Sequence, residues 1–301
     1  MHYTKQDWLT ALGNPEFESF RPSLSKEKTF SLPGCVGELY LQQNGPDTFQ
    51  RLMMLFPEEI ESSCPAVVVP FYYPEAMLGM DPFTGELLPR FAGIEMMLHL
   101  VRRGYAVASA DAFHLTYLAS DKARDDFTRW RDAAAALQKD HPHWTGIGKL
   151  MQDTMLVTDA LAADKRVDEN RIGIAGHSLG GKMAFYAGCL DDRIRVILAS
   201  DFGFGWDQTN WQDPWYWGSL AAKWQKEGMD HTALLSCAAP KPMMLLAGQF
   251  DNMDSWDMMC RAEGYAEYPE HLAICNHAPG HRPPPEALEA GYAFLDGFLK
   301  P

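Results

Sequence analysis

The sequence predicts a doubly wound α/β fold: a mostly parallel sheet of eight strands with helices on both faces. Three observations carry that prediction. From residue 66 onward, short and wholly apolar runs alternate with segments of helical period, the pattern of strands buried on both sides. No Gly/Ser/Pro-rich linker, internal repeat or low-complexity tract divides the 301 residues. A β-branched run at 171–175 leads through Gly176-His177-Ser178-Leu179-Gly180-Gly181 straight into a helical pattern.

Residues 1–34 read as a helical or irregular lead-in broken by Pro15, Pro22 and Pro33. Runs at 36–41 and 49–55 flank the turn signal Asn44-Gly45-Pro46 and read as an antiparallel hairpin. Buried strands are expected at 66–70, 106–109, 171–175, 196–199, 243–247 and 272–275. Helices are expected at 94–103, 122–139, 150–164, just after Ser178, and at 286–299. The connection from Ser200 to Met243 is longer than an ordinary link between a strand and the next. It carries Trp206, Trp211, Trp215, Tyr216, Trp217 and Trp224, so residues 202–240 are expected to form a cap or lid inserted into a single domain spanning 1–301.

Composition narrows the function. Hydrophobic residues at 47% and charged residues at 22% suit a globular chain with a sizeable core. A net charge of −14 repels phosphate backbones and anionic lipid, so neither nucleic acid nor a membrane surface is expected as a partner. The six cysteines form no C-x-x-C pair and suit free thiols in a reducing compartment. No basic stretch followed by an apolar run opens the chain, and a cytoplasmic location is expected. His141-Pro142-His143 lacks a third ligand at useful spacing and reads as a surface turn, so no metal and no cofactor is expected. The methionine pairs, such as Met53-Met54 and Met243-Met244, read as core filler.

The chemistry concentrates on Ser178. A turn this sharp from strand to helix leaves no room for side chains at Gly176 and Gly180, and it lifts the serine hydroxyl above the carboxyl edge of the sheet. The amide of Leu179 opens the next helix and is expected to face a developing oxyanion, with Phe71 or Tyr72 as the second donor because Pro70 has no amide hydrogen. A serine hydroxyl needs a base, and the base needs a carboxylate to orient it. Two histidines follow the last strand, His277 and His281; His281 is preferred because the base must reach across the mouth of the sheet. For the acid, Asp251 is preferred at the end of the next-to-last strand. Asp254 and Asp257 suit a helix start instead, and Asp201, one strand earlier, would supply the carboxylate in a variant geometry. His177, Asp201, Trp206, Trp211, Trp215 and Trp217 are candidates for the substrate pocket. The tryptophans either stack on sugar rings or simply anchor a segment that has no core of its own.

The run 168–181, the stretch Ala239-Pro240-Lys241-Pro242-Met243 leading to Gly248-Gln249-Phe250-Asp251, and the ending Gly280-His281 resemble the α/β-hydrolases of the dienelactone-hydrolase and acetyl-xylan-esterase-like groups. The resemblance spans about residues 60–299. It implies an eight-stranded sheet and metal-free hydrolysis of carboxylic esters by Ser178, Asp251 and His281. Dienelactone hydrolases proper use a cysteine nucleophile; the serine here points to the esterase side, with short acyl esters or acetylated carbohydrates as substrates.

Two other readings stand beside it. A serine peptidase of the prolyl-oligopeptidase kind shares this catalytic arrangement, but that class usually carries an N-terminal propeller, and only some sixty residues precede the buried strands. A hydrolase-like binding protein that has lost catalysis sits poorly with a serine, an aspartate and a histidine all in place.

Overall fold

The computed structural model describes residues 3–13, 22–60, 62–118, 125–278 and 280–301. Pro15, residues 122–124 of an expected helix, and Pro279 lie outside the described residues.

Among the described residues, nine strands form one sheet: β1 (Leu24–Leu32), β2 (Cys35–Gln43), β3 (Phe49–Pro57), β4 (Cys64–Val68), β5 (Ala106–Ala110), β6 (Val167–His177), β7 (Ile194–Ser200), β8 (Met243–Ala247) and β9 (Leu272–Asn276). Their order across the sheet is β1-β2-β3-β5-β4-β6-β7-β8-β9. The pairs β1/β2, β2/β3 and β3/β5 are antiparallel, and every pair from β4/β5 to β8/β9 is parallel. The hairpin and the six buried strands lie where the sequence puts them. The ninth strand, β1, falls in the stretch read as a lead-in. Its sequence, Leu-Ser-Lys-Glu-Lys-Thr-Phe-Ser-Leu, has almost no apolar alternation because it is an exposed edge strand. Charged residues such as Lys26, paired with Glu38, suit an edge that must not recruit another chain.

Helices cover both faces. The crossover helices are α3 (Met96–Arg102), α6 (Gly146–Ala163) and α7 (Leu179–Leu190). The terminal α11 (Pro285–Leu299) packs on β7 and β8, α5 (Asp126–Asp140) flanks the carboxyl edge, and α2 (Pro74–Leu78), α4 (Phe113–Thr116) and α10 (Met253–Met259) are short. At the chain's start, α1 (Lys5–Leu12) is held by a capping box between Thr4 and Asp7 and packs on α6. It also delivers Trp8, which is fully buried against Tyr186 and Trp217. Strands β4, β5, β7 and β8 and the second half of β6 are buried along nearly their whole length, which is why they read as continuous apolar runs rather than alternating ones.

The long connection from β7 to β8 holds α8 (Leu220–Glu227) and α9 (His231–Ala238). Helix α9 packs against α7 and α1, so the final third of the tryptophan-rich segment supplies an ordinary crossover helix to the sheet. Among the described residues, no helix is long and apolar enough to cross a membrane. All six cysteines are free thiols.

Candidate active site

Strand β6 ends at His177, and Ser178 is the N-cap of α7 with φ 57° and ψ −116°, a conformation that costs energy for a residue with a Cβ. The neighbouring chain enforces the turn. A Cβ on Gly176 would lie 2.1 Å from the Gly180 carbonyl oxygen, and one on Gly180 would lie 2.1 Å from the Pro70 oxygen. The Ser178 amide donates to the Ser200 oxygen at 2.8 Å, and its carbonyl accepts the Lys182 amide at 3.1 Å. Both flanks of the bend are therefore hydrogen-bonded. Leu179 is the first helical residue, so its amide has no acceptor within the helix. The Pro70–Tyr72 loop after β4 packs directly on Gly180. Tyr72 lines the cleft, whereas the Phe71 ring is buried behind it, edge-on to Tyr72 with centroids 4.5 Å apart.

The structure brings Ser178 and His281 together: the imidazole Nε2 stands 2.8 Å from Ser178 Oγ. His281 Nδ1 stands 2.6 Å from Asp201 Oδ2. The carboxylate facing the histidine is thus that of Asp201, not the expected Asp251. Asp201 ends β7 with a positive φ of 42°, which turns its side chain across the sheet edge toward the β8 loop. There its carboxylate accepts the amides of Gly248, Gln249, Phe250 and Asp251 at 2.8–3.1 Å. Burial alone would raise the Asp201 pKa. The His281 hydrogen bond and the amides of Asp251 and Phe250 outweigh it and hold the carboxyl below its ordinary value.

Asp251 is fully buried, and both of its oxygens are engaged elsewhere. Oδ2 accepts the amides of Phe202 and Gly203 at 2.8 and 2.9 Å; Oδ1 accepts the Phe204 amide at 2.7 Å and the Ser255 hydroxyl at 2.9 Å. Burial raises its pKa. The two aspartates therefore clamp each other's loops: Asp201 binds the chain that carries Asp251, and Asp251 binds the chain that follows Asp201.

His177 lies beneath the site rather than on its surface. It is buried, its Nδ1 is 3.1 Å from Ser200 Oγ, and its ring is tilted at 4.6 Å from that of His281. Burial and the adjacent His281 push its pKa down to about 3, so the ring is neutral. Phe250 packs edge-on to the outer side of His281 at 5.0 Å. The rival His277 does not take this position; its amide bonds the Ala247 oxygen beside the strand end.

A cleft of about 340 Å³ opens above Ser178, Leu179 and His281. Its aromatic wall comes from Tyr72, Phe127, Trp130, Trp215 and Tyr216, and its polar lining from Lys182, Thr209 and Asn210. Of the tryptophans proposed for the pocket from sequence, Trp215 alone borders it. Trp206, Trp211 and Trp217 are buried in a cluster with Tyr186 and His231, so for these three the anchoring role, not the binding one, matches their position. Phe127 and Trp130 went unnoticed in the sequence, although their i, i+3 spacing on α5 puts both on one helix face. His114 stacks flat on Trp130 at 4.0 Å behind this wall. Asp111 forms a two-pronged ion pair with Arg51 at 2.8 and 2.9 Å and takes no part in the cleft. His141 stacks on Trp144.

Comparison with known proteins agrees with this architecture. The prolyl oligopeptidase family matches residues 145–254, from the start of α6 into the short helix that follows β8. No curated protein matches the chain. Among solved structures, an acetyl xylan esterase of Bacteroides fragilis, so assigned provisionally, aligns with a TM-score of 0.70 at 18% identity, over 91% of this chain and 76% of that one. A glucuronoyl esterase from Solibacter usitatus aligns with a TM-score of 0.68 at 14% identity, over 92% of this chain and 86% of the other. An acetyl xylan esterase from a Paenibacillus species gives 0.61 at 14% identity, over 98% and 94%.

Two outcomes follow from the geometry. Labelling of Ser178 by a fluorophosphonate, followed by intact mass, should slow by about 10³-fold or more in Asp201→Asn. Asp251→Asn should slow labelling far less while lowering the melting temperature, because its buried amide donors lose an acceptor. The second outcome concerns acid. His177 and the fully buried His231 both have pKa values lowered from 6.5 to about 3, chiefly by burial. Between those values the unfolded chain binds protons that the folded chain refuses, so stability is fully present above pH 6.5 and declines on acidification. Denaturant titrations should show a fall of up to about 1.4 kcal/mol per pH unit for each histidine, reduced when His177→Gln removes one of them.

Proposed function

Starting from a chain with the α/β-hydrolase fold, we propose that it is a serine carboxylester hydrolase with Ser178 as nucleophile, His281 as base and Asp201 as the orienting acid. One observation carries the reading: a strained serine hydroxyl 2.8 Å from an imidazole whose other nitrogen lies 2.6 Å from a buried carboxylate. Asp201 fixes the proton on His281 Nδ1, leaving Nε2 free to accept the proton from Ser178 Oγ as it attacks the ester carbonyl. The amide of Leu179, with that of Phe71 or Tyr72, holds the oxyanion, each donor contributing about 3 kcal/mol of transition-state stabilisation. His281 then gives its proton to the leaving alcohol. Water repeats the cycle on the acyl-enzyme, releasing the acid and restoring Ser178. Asp201 keeps its charge throughout, because its carboxyl is held below the usual range.

The cleft supports an ester of a carbohydrate. Its aromatic wall offers flat faces to sugar C–H groups, while Lys182, Thr209 and Asn210 offer polar groups to hydroxyls. Solved structures of similar fold include esterases whose names specify acetyl xylan and glucuronoyl substrates. The match to the prolyl oligopeptidase family over residues 145–254 favours a second reading, a serine peptidase. The experiment that separates them compares p-nitrophenyl acyl esters, acetylated xylo-oligosaccharides and proline-containing peptide anilides. Short acyl esters should turn over fastest and Ser178→Ala should abolish turnover; peptide hydrolysis exceeding ester hydrolysis would reverse the choice.

A further inference from the structure

The three residues that follow Asp201 are held on both sides of the backbone. Asp251 accepts the amides of Phe202, Gly203 and Phe204. Their carbonyls are taken up as well, each by a different buried side chain. Lys182 Nζ donates to the Phe202 oxygen at 2.8 Å, Trp211 Nε1 donates to the Gly203 oxygen at 2.8 Å, and His231 Nδ1 meets the Phe204 oxygen at 2.5 Å. All six backbone groups of a three-residue loop are therefore paired with side chains, where a strand or a helix would have paired them with other backbone.

The donors are themselves oriented. His231 must carry its proton on Nδ1 to donate to a carbonyl, which leaves Nε2 as acceptor for the Tyr186 hydroxyl at 2.7 Å. Tyr186 in turn accepts the Trp217 indole N–H at 2.8 Å. Lys182 Nζ lies over the ring of Trp211 at 3.7 Å and that of Tyr216 at 4.9 Å. Burying a lysine is costly, and here it is spent on one carbonyl of this loop. Asp201 itself stands at φ 42°, a conformation that persists only where its surroundings over-determine it.

We propose that Lys182, Trp211 and His231 are positioning residues that hold the Asp201 carboxylate on His281, and that the tryptophan-rich segment exists in part to supply this cradle. The proposal rests on the serine-hydrolase reading above. A carboxylate displaced by an ångström would weaken its bond to His281 Nδ1 and release the imidazole from its reactive orientation.

The test uses the full chain and p-nitrophenyl acetate, with thermal melting to establish that each variant folds. Trp211→Phe keeps an aromatic ring and removes the N–H; His231→Leu removes the donor, and His231→Asn restores one near the Nδ1 position. Trp211→Phe and His231→Leu should each lower kcat about tenfold with KM changed by less than about twofold, and His231→Asn should recover most of the loss. In an Asp201→Asn background, His231→Leu should cost nothing further, since its effect passes through that carboxylate. The downfield proton NMR signal of His281 Nδ1–H should shift or broaden in Trp211→Phe. This signal needs no substrate, so it tests the cradle even if the wild-type chain hydrolyses no ester. Lys182 also borders the cleft, and Lys182→Met separates its two possible roles: lowered kcat at unchanged KM supports positioning, and raised KM at unchanged kcat overturns it for that residue. Folded Trp211→Phe and His231→Leu proteins with wild-type kcat and an unmoved NMR signal would overturn the proposal. So would a full tenfold loss from His231→Leu that persists without the Asp201 carboxylate.

Discussion

Two buried carboxylates that grip each other's loops are the constraint on which this site depends. Asp201 directly follows β7 and Asp251 lies in the loop after the adjacent parallel strand β8, and each accepts three or four backbone amides from the loop that bears the other. Loops at the carboxyl edge of a parallel sheet leave their amides without partners, and an unpaired buried amide is expensive. Here the two side chains satisfy seven such groups. The same bonds fix the distance between the β7 and β8 loops, and so the place where a histidine from the β9 loop can meet a carboxylate.

The division of labour between the two aspartates follows from their partners. Asp201 keeps one oxygen within 2.6 Å of His281 while the other serves mainly backbone amides, and the sum of these bonds holds it ionised despite burial. Asp251 has no oxygen left over, and burial raises its pKa. In the reading proposed above, one carboxylate orients the base and the other keeps the first in place. The strain at Ser178 belongs to the same fixed geometry: glycines at 176 and 180 let neighbouring chain approach closely on both sides of the bend that holds the serine at a positive φ.

The tryptophan-rich connection illustrates how a sequence signal can be noticed while its role stays open between binding and anchoring. A cluster of indoles beside a cleft suggests a stacking surface, yet Trp206, Trp211 and Trp217 face inward around Tyr186 and His231. Composition reports that a segment must bury large rings; it does not report which side of the segment the cleft lies on. The edge strand β1 is the opposite case, a regular element whose polar sequence left no periodic trace because neither face is buried deeply.

What the sequence determined by itself was whatever depends on local stereochemistry and on the period of burial. The apolar runs specify the strands of the parallel core, since a strand covered on both faces needs hydrophobic residues at successive positions. The spacing Gly176-x-Ser178-x-Gly180 specifies the bend, since only glycine tolerates the contacts on either side of it. His281 was legible because, of the two histidines in the loop between the last strand and the last helix, the farther one is better placed to reach across the mouth of the sheet. The identity of the carboxylate beside it was not. Asp201 and Asp251 lie fifty residues apart at equivalent ends of neighbouring strands, and either is close enough in principle. Only the three-dimensional arrangement decided between them, through a positive φ at Asp201 and a set of amides that had already claimed both oxygens of Asp251.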